Sequence, residues 1–383
     1  MTNDTHNEQS SITSQPLRVL HVVEAFGGGV FEVVRTLTRY QVDRHPVAIA
    51  YGTRPETPTE VCHYLDPRVE LFPLPWERRT SRAQLKAAHA LSRIVPTWSP
   101  SVIHLHSSFA GVVGTFAIKA GPPTLYSPHA YSFQMNQNRA RRAFFLMLER
   151  YVARHVGAVG AVSAHEADLA RQHALARRVF TVSNGIPELD ACRTRRPDIH
   201  KPPLTVTSMG RTDPQRQPRA AARILRAVAD EADVRWIGGA APGSHGSAVP
   251  GVRMTGWLER DVALRLLADA DIYLHWTAWD GQALSIMEAM ARDVIVIASD
   301  IPPNRDIVGG KQVCASESAA IDLIRRLLQT PGLRAEYRAR QRALRGRFGA
   351  QRMASNWDTV YREMANGARA QRTAPSPALT AAR

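Results

Sequence analysis

Residues 272–298 constrain the fold more than any other stretch. Ile272 to Trp276 reads as a short strand, and Val294 to Ala298 is apolar throughout, as a strand buried on both faces is. Between them Gly281 marks a tight turn. Leu284, Ile286, Met287, Ala289 and Met290 then form a helix-compatible run without interior proline or glycine. Strand, glycine turn, helix, strand is a βαβ unit. In such a unit ligands collect at the carboxyl end of the strand, beside the helix N-terminus. Backbone N–H groups are unpaired there, and the helix dipole favours anions. Asp280 stands at the mouth of that position. Glu288 follows after seven intervening residues, about two turns into a helix that begins near Gly281.

The same alternation runs along the chain. Leu17 to Val23 is a strand, Gly27, Gly28 and Gly29 follow, and Val30, Val33, Val34, Leu37 and Tyr40 recur at helical spacing. Three glycines let a backbone approach a ligand closely. The loop is neither the dinucleotide glycine fingerprint nor a P-loop. Strands are read over 47–50, 69–74, 102–106 and 123–131, with helices over 81–95 and 110–119. His104 and His106 share one side of a strand and read as packing residues, because a metal would need further ligands. His129 ends the next strand. In the basic helix 138–154, Arg139, Arg141, Arg142, Arg150 and Arg154 surround Phe144, Phe145, Leu148 and Tyr151. That face could lie on anionic lipid or cover a core. Ser163 and Glu166 have the spacing of a capping box. A strand at 179–182 and the turn Asn184, Gly185, Ile186, Pro187 close this half.

The second half opens with a strand over 204–209, then Gly210, Arg211 and Arg216. A strand-end glycine brings the backbone near phosphates, and two cations can neutralise charge on a departing diphosphate. Asp269 and Asp271 have the spacing of a metal-binding pair, but they fall at a helix–strand junction and read as a cap and a turn. Residues 299–306 read as a loop, 319–328 and 333–348 as helices, and Trp357, Val360, Tyr361 and Met364 as a last amphipathic helix. The expected boundaries are a disordered segment at 1–16, a first domain at 17–188, a linker at 189–203, a second domain at 204–350, a closing helix at 351–366 and a disordered tail at 367–383. Without a repeat of 20–50 residues, this is an α/β chain of two doubly wound domains.

In this order the motifs resemble those of retaining glycosyltransferases of the GT-B fold, family four. Gly281 and the run Glu288, Ala289, Met290, Ala291 match that family's second acidic motif. Asp280 replaces its first glutamate, Gln282 and Ala283 replace Phe-Gly, Arg216 stands for a lysine, and Gln215 for an acidic neighbour. The resemblance implies two Rossmann-like domains facing a cleft, with a C-terminal helix crossing back to the first. It implies transfer, with retention, from a nucleotide-diphosphate sugar, a UDP-sugar or GDP-mannose. The acceptor would be a glycan or a polyprenyl-linked glycan in exopolysaccharide or capsule assembly. Arg211 and Arg216 would hold the diphosphate. Glu288 would bind ribose hydroxyls, and Asp280 would contact sugar hydroxyls with the amides of Gly281, Gln282 and Ala283. Gly210 would bring the backbone to the phosphates. Gly28, Gly29 and His129 would come from the facing domain. No cofactor and no metal is expected, since arginines do the electrostatic work. A sugar-nucleotide binding protein that has lost catalysis is the alternative, with a GT-B phosphorylase or a sugar-nucleotide epimerase as further rivals.

The net charge of +15 bears on partners. The chain lacks a zinc-finger or RNA-recognition signature, and its aromatics are not interleaved with basic residues, so nucleic acid is not the expected partner. A nucleotide diphosphate and an anionic membrane surface are. Absence of an eighteen-residue apolar run, a polar N-terminus and three widely spaced cysteines, Cys62, Cys192 and Cys314, suit a cytoplasmic protein at the inner face of the plasma membrane.

Overall fold

The computed structural model describes residues 15–119, 121–189, 203–240 and 249–373. The expectations for 1–14, for most of the linker with Cys192, for most of the 240–251 loop and for 374–383 lie outside the described residues.

Seven strands build the first sheet: β1 (Val19–Val23), β2 (Val47–Tyr51), β3 (Glu70–Pro73), β4 (Val102–His106), β5 (Thr124–Ser127), β6 (Ala158–Ala161) and β7 (Val179–Thr181). Their order is β3-β2-β1-β4-β5-β6-β7, parallel throughout. Helices cover both faces: α1 (Gly28–Gln41), α2 (Ser81–Trp98), α3 (Ser108–Ala117), α4 (Arg139–His155) and α5 (Ala164–Gln172). Both faces being covered, β1, β2 and β4 are buried at every residue, which is why they carry near-continuous apolar runs.

The second sheet holds β8 (Leu204–Met209), β9 (Ala232–Ile237), β10 (Arg253–Met254), β11 (Ile272–His275), β12 (Ile295–Ser299) and β13 (Val313–Cys314). Its order is β10-β9-β8-β11-β12-β13, again all parallel. Around it lie α6 (Pro218–Ala227), α7 (Arg260–Ala268), α8 (Leu284–Ala291), α9 (Pro302–Val308), α10 (Glu317–Gln329) and α11 (Pro331–Leu344).

The chain then returns. Helix α12 (Ala350–Thr373) buries Met353, Trp357, Val360, Tyr361 and Met364 against Val19, Val102, Leu125 and Ala158 of the first sheet. Sheet and helix meet so closely that a Cβ on Gly160 would lie 2.5 Å from the Trp357 ring.

Two sequence expectations need correction. The stretch read as a loop at 299–306 contains α9, because Pro302 and Pro303 occupy the first helical positions, where a missing N–H costs nothing. The tail expected to be disordered from Gly367 instead continues α12 to Thr373. Cys62 and Cys314 are free thiols. None of the described helices is long and apolar enough to cross a membrane.

Helix α4 meets the core through Glu149, Val152 and Ala153. Glu149 is buried and accepts hydrogen bonds from Ser108 (2.5 Å) and Tyr126 (2.7 Å). Burial raises its pKa from 4.5 to about 7 despite those two bonds. The folded protein thus keeps a proton that the unfolded chain releases. Stability from this group is present below about pH 4.5 and is lost as the pH rises through about 7. Glu149→Gln, neutral at every pH, should raise the melting temperature by roughly 5 °C at pH 8 and hardly at all at pH 4.5. An equal shift at both pH values would contradict this account.

Candidate functional site

In the first sheet the strand order reverses between β1 and β4, and in the second between β8 and β11. A doubly wound sheet binds ligands in the crevice at the carboxyl ends of such strands. The two crevices face one another and enclose a cleft of about 1310 Å³. Gly28, Gly29 and His129 line it from the first lobe. Gly210, Arg211, Arg216, Asp280, Gln282, Ala283 and Glu288 line it from the second.

Gly281 is a singled-out residue that does not line the cleft. A Cβ there would lie 2.8 Å from the Ala130 nitrogen and 3.0 Å from the His129 carbonyl carbon. Its N–H is spent on the Asp280 carboxylate at 2.9 Å. Gly281 is therefore a point where the lobes touch, backbone on backbone. Beside it, the Gln282 side chain accepts from the Asn184 N–H at 2.6 Å and so also ties lobe to lobe.

Gly210 adopts φ +129°, a conformation that favours glycine. The turn it begins ends at Arg216, whose guanidinium donates to His275 Nε2 at 3.0 Å and to Asp280 Oδ2 at 3.3 Å. Burial alone would raise the Asp280 pKa, but His275 and the Arg216 guanidinium outweigh it and hold the carboxyl below its ordinary value. Burial lowers the His275 pKa to about 4, helped by Arg216. A neutral imidazole can accept from Arg216 and be steadied on its other side by Tyr273, 3.0 Å from Nδ1. Gln215 joins this turn to the next loop: its carbonyl accepts from the Ala278 N–H (2.9 Å) and its amide donates to the Trp279 carbonyl (2.9 Å). Arg211 is more exposed and pairs with Asp213 at 3.2 Å.

Helix α8 begins at Leu284, so Glu288 lies little more than one turn into it. Glu288 pairs with Arg260, which also reaches Glu32 of the first lobe at 3.1 Å. Burial alone would lower the Arg260 pKa, but the two carboxylates raise it on balance. No side chain caps α8 or α1. Both present their first turn to the cleft, with N–H groups and a dipole suited to an anion.

His129 and Ala130 carry successive positive φ values of 52° and 85°. Strain of this kind persists only where the surroundings enforce it. Here Glu166 does so, accepting from Ala130 N at 2.7 Å and Val162 N at 2.8 Å. The sequence reading had Glu166 as half of a capping box. Ser163 does cap α5, but the Glu166 carboxylate faces the His129 turn instead.

His275, Arg260, Glu32 and Glu166 were missed as site residues. His275 was legible in principle, since it shares a strand face with Tyr273 at the edge of the motif. The other three act through contacts remote in sequence.

Two facing doubly wound domains, with opposed crevices and a last helix returning to the first, define the GT-B architecture. The family description "Glycosyl transferase 4-like domain" matches residues 28–185, and "Glycosyl transferases group 1" matches residues 204–330. The chain belongs to the GT-B glycosyltransferases. An uncharacterised 41.2 kDa protein of the cps region of Klebsiella pneumoniae is 23% identical over 312 residues, covering 76% of this chain and 83% of its own. Sucrose-phosphate synthase of Thermosynechococcus elongatus superposes with a TM-score of 0.75 at 18% identity, over 91% of this chain and 100% of its own. HepE of Anabaena, solved with UDP-glucose, gives 0.67 at 17% identity, over 92% and 100%.

The Gly281 contact is testable. Gly281→Ala places a methyl against backbone that cannot yield, so the lobes must shift. Transferase activity should fall about tenfold or more, equivalent to ~1.4 kcal/mol, because small displacements misalign a two-lobed site. The two sheets should remain folded by circular dichroism. Full activity in the variant would refute the contact.

Proposed function

We propose that this protein transfers a sugar from a UDP-sugar to a glycan or lipid-linked acceptor with retention at the anomeric carbon. The observation that carries the reading is Arg216, held by His275 and Asp280 beside the Gly210 backbone at the second switch point. A guanidinium fixed by neighbours needs little reorganisation as charge develops on a departing diphosphate. Arg211 and the uncapped α8 N-terminus add to that field. The UDP assignment is supported by the UDP-glucose bound to HepE. A role in capsule or exopolysaccharide assembly is supported by the cps-region relative.

Within this scheme Arg211 and Arg216 hold the diphosphate, Asp280 orients Arg216 and reaches the sugar, and Glu288, steadied by Arg260, binds the ribose. His129 and the Gly28–Gly29 backbone come from the facing lobe, so the site is complete only when both lobes meet. The leaving phosphate accepts the acceptor's proton, and no protein base is assigned. The arginines take the part a divalent metal would play.

A thermal-shift screen across nucleoside diphosphates and their sugars tests the donor, since a ligand that binds only the folded form raises the melting temperature. Uridine compounds should give the largest shift. Arg216→Ala should lower turnover by at least about a hundredfold, ~2.7 kcal/mol, while EDTA leaves the wild type unaffected. Turnover within about threefold in the variant, or loss on EDTA that magnesium restores, would contradict the scheme. Binding without transfer or slow donor hydrolysis would make the chain a sugar-nucleotide binder. The anomeric configuration of the product decides retention.

A membrane surface is the second partner. On α4, Phe144 is 53% and Met147 60% exposed, beside Phe116 of α3 at 54%. Exposed Arg139, Arg142 and Arg150 flank them, and Met135 and Arg141 lie on the cleft wall. Apolar side chains ringed by arginine favour anionic lipid, and this patch would bring a lipid-linked acceptor to the cleft. The protein should co-sediment with phosphatidylglycerol vesicles but not phosphatidylcholine ones. Phe144→Ser with Met147→Ser should abolish this; unchanged binding would move the contact elsewhere.

A further inference from the structure

Behind His129 lies a column of buried imidazoles that the transfer scheme does not use. The ligating atoms of His21, His104 and His106 all lie within 4.8 Å of one another, a spacing that would suit a metal ion. Their ring nitrogens are already spent. His21 bonds His106 at 3.0 Å and Gln41 Oε1 at 2.9 Å. His104 bonds the Tyr361 hydroxyl at 2.7 Å and Ser127 at 2.8 Å. His106 uses its second nitrogen on His129 Nε2 at 2.9 Å. The cluster is a hydrogen-bonded column and not an open ligand set.

Two oxygens that can only accept, the Gly160 carbonyl and the Gln41 amide oxygen, set its direction. The Gly160 carbonyl can only accept, so Ser127 gives it its single proton, at 2.6 Å. Ser127 Oγ then accepts from His104 Nε2–H. His104 Nδ1 is left as an acceptor, filled by the Tyr361 hydroxyl. At the other end of the column stands Gln41, whose side-chain oxygen lies 2.9 Å from His21 Nε2. An amide oxygen can only accept, so His21 donates to it from Nε2. His21 Nδ1 accepts from His106 Nε2–H, and His106 Nδ1 accepts from His129 Nε2–H.

A neutral imidazole carries one N–H. Burial keeps all four rings neutral, lowering the pKa of His21 and of His129 to about 4 and holding those of His104 and His106 well below the ordinary value. His129 is half-buried on the cleft wall, and its Nδ1 has no hydrogen-bond partner among the described residues.

We propose that Gln41, His21 and His106 are positioning residues that hold His129 as the Nε2–H tautomer, so that its Nδ1 accepts a hydrogen bond from a sugar hydroxyl in the cleft. The hydroxyl rests on the sugar-transfer reading above; the tautomer does not. The relay also sets what His129 can do. It offers a lone pair to a hydroxyl donor, and it offers neither an N–H nor a positive charge to a phosphate oxygen.

The test has two arms. Full-length protein labelled with 15N-histidine gives long-range proton–nitrogen spectra that separate protonated from bare ring nitrogens, and His129→Gln identifies the His129 signals by their loss. The wild type should show His129 with Nε2 protonated and Nδ1 bare. An Nδ1–H tautomer, or an averaged pair, overturns the relay. The second arm compares His106→Asn, whose amide oxygen can stand near the lost Nδ1, with His106→Leu, which offers no acceptor. His106→Leu should lower kcat/KM about tenfold and average the His129 tautomers, and His106→Asn should recover most of both. Full activity in the leucine variant, or equal loss in the two, overturns the positioning role. A wild type that turns over no nucleotide sugar would remove the sugar-transfer reading and the hydroxyl contact, and the spectra would still decide the tautomer.

Discussion

A parallel strand delivers the chain to the same edge of its sheet every time, and every pairing in both sheets here is parallel. That constraint stacks the loops after β1, β4 and β5 on one rim, and those after β8 and β11 on another. The rims meet at the contact of Gly281 with the His129–Ala130 backbone. Substituents that share no local sequence thereby reach one cleft. The parallel pairing also dictates buried strands on both faces, hence the apolar runs by which the chain is first recognised.

Charge in the cleft is arranged in layers. Arg216 rests on Asp280 and His275, and Arg260 spans Glu288 and Glu32. Each cation is oriented by a group behind it, which lowers the cost of holding a long side chain ready. The neutral histidines add fixed dipoles and no net charge. Such a cleft suits a ligand whose negative charge is concentrated at one point and whose remainder is hydroxyl-rich.

Much of this was legible in the sequence. Gly210, Arg211, Arg216, Asp280 and Glu288 could be singled out because strand ends, glycines and helix starts occur together locally. The returning helix was legible from Trp357, Val360, Tyr361 and Met364 on one face. Helix α9 was hidden by Pro302 and Pro303, which read as loop residues when they in fact open a helix. Arg260 and Glu166 could not be found, because their partners lie 28 and 36 residues away. His21 looked like one more residue of an apolar strand. Its partners come from Gln41 at the end of α1 and His106 on β4, and register between distant strands has no local signature.

The return of α12 has a consequence for the order in which the molecule can be completed. Trp357 and Tyr361 plug the face of the first sheet, and Tyr361 supplies the hydroxyl on which His104 rests. During synthesis from the N-terminus, the first lobe must therefore wait with an open apolar face while the whole second lobe is made. Only when α12 docks does the inner face close and His104 gain its hydroxyl partner, so the earliest part of the chain to emerge is the last to be finished.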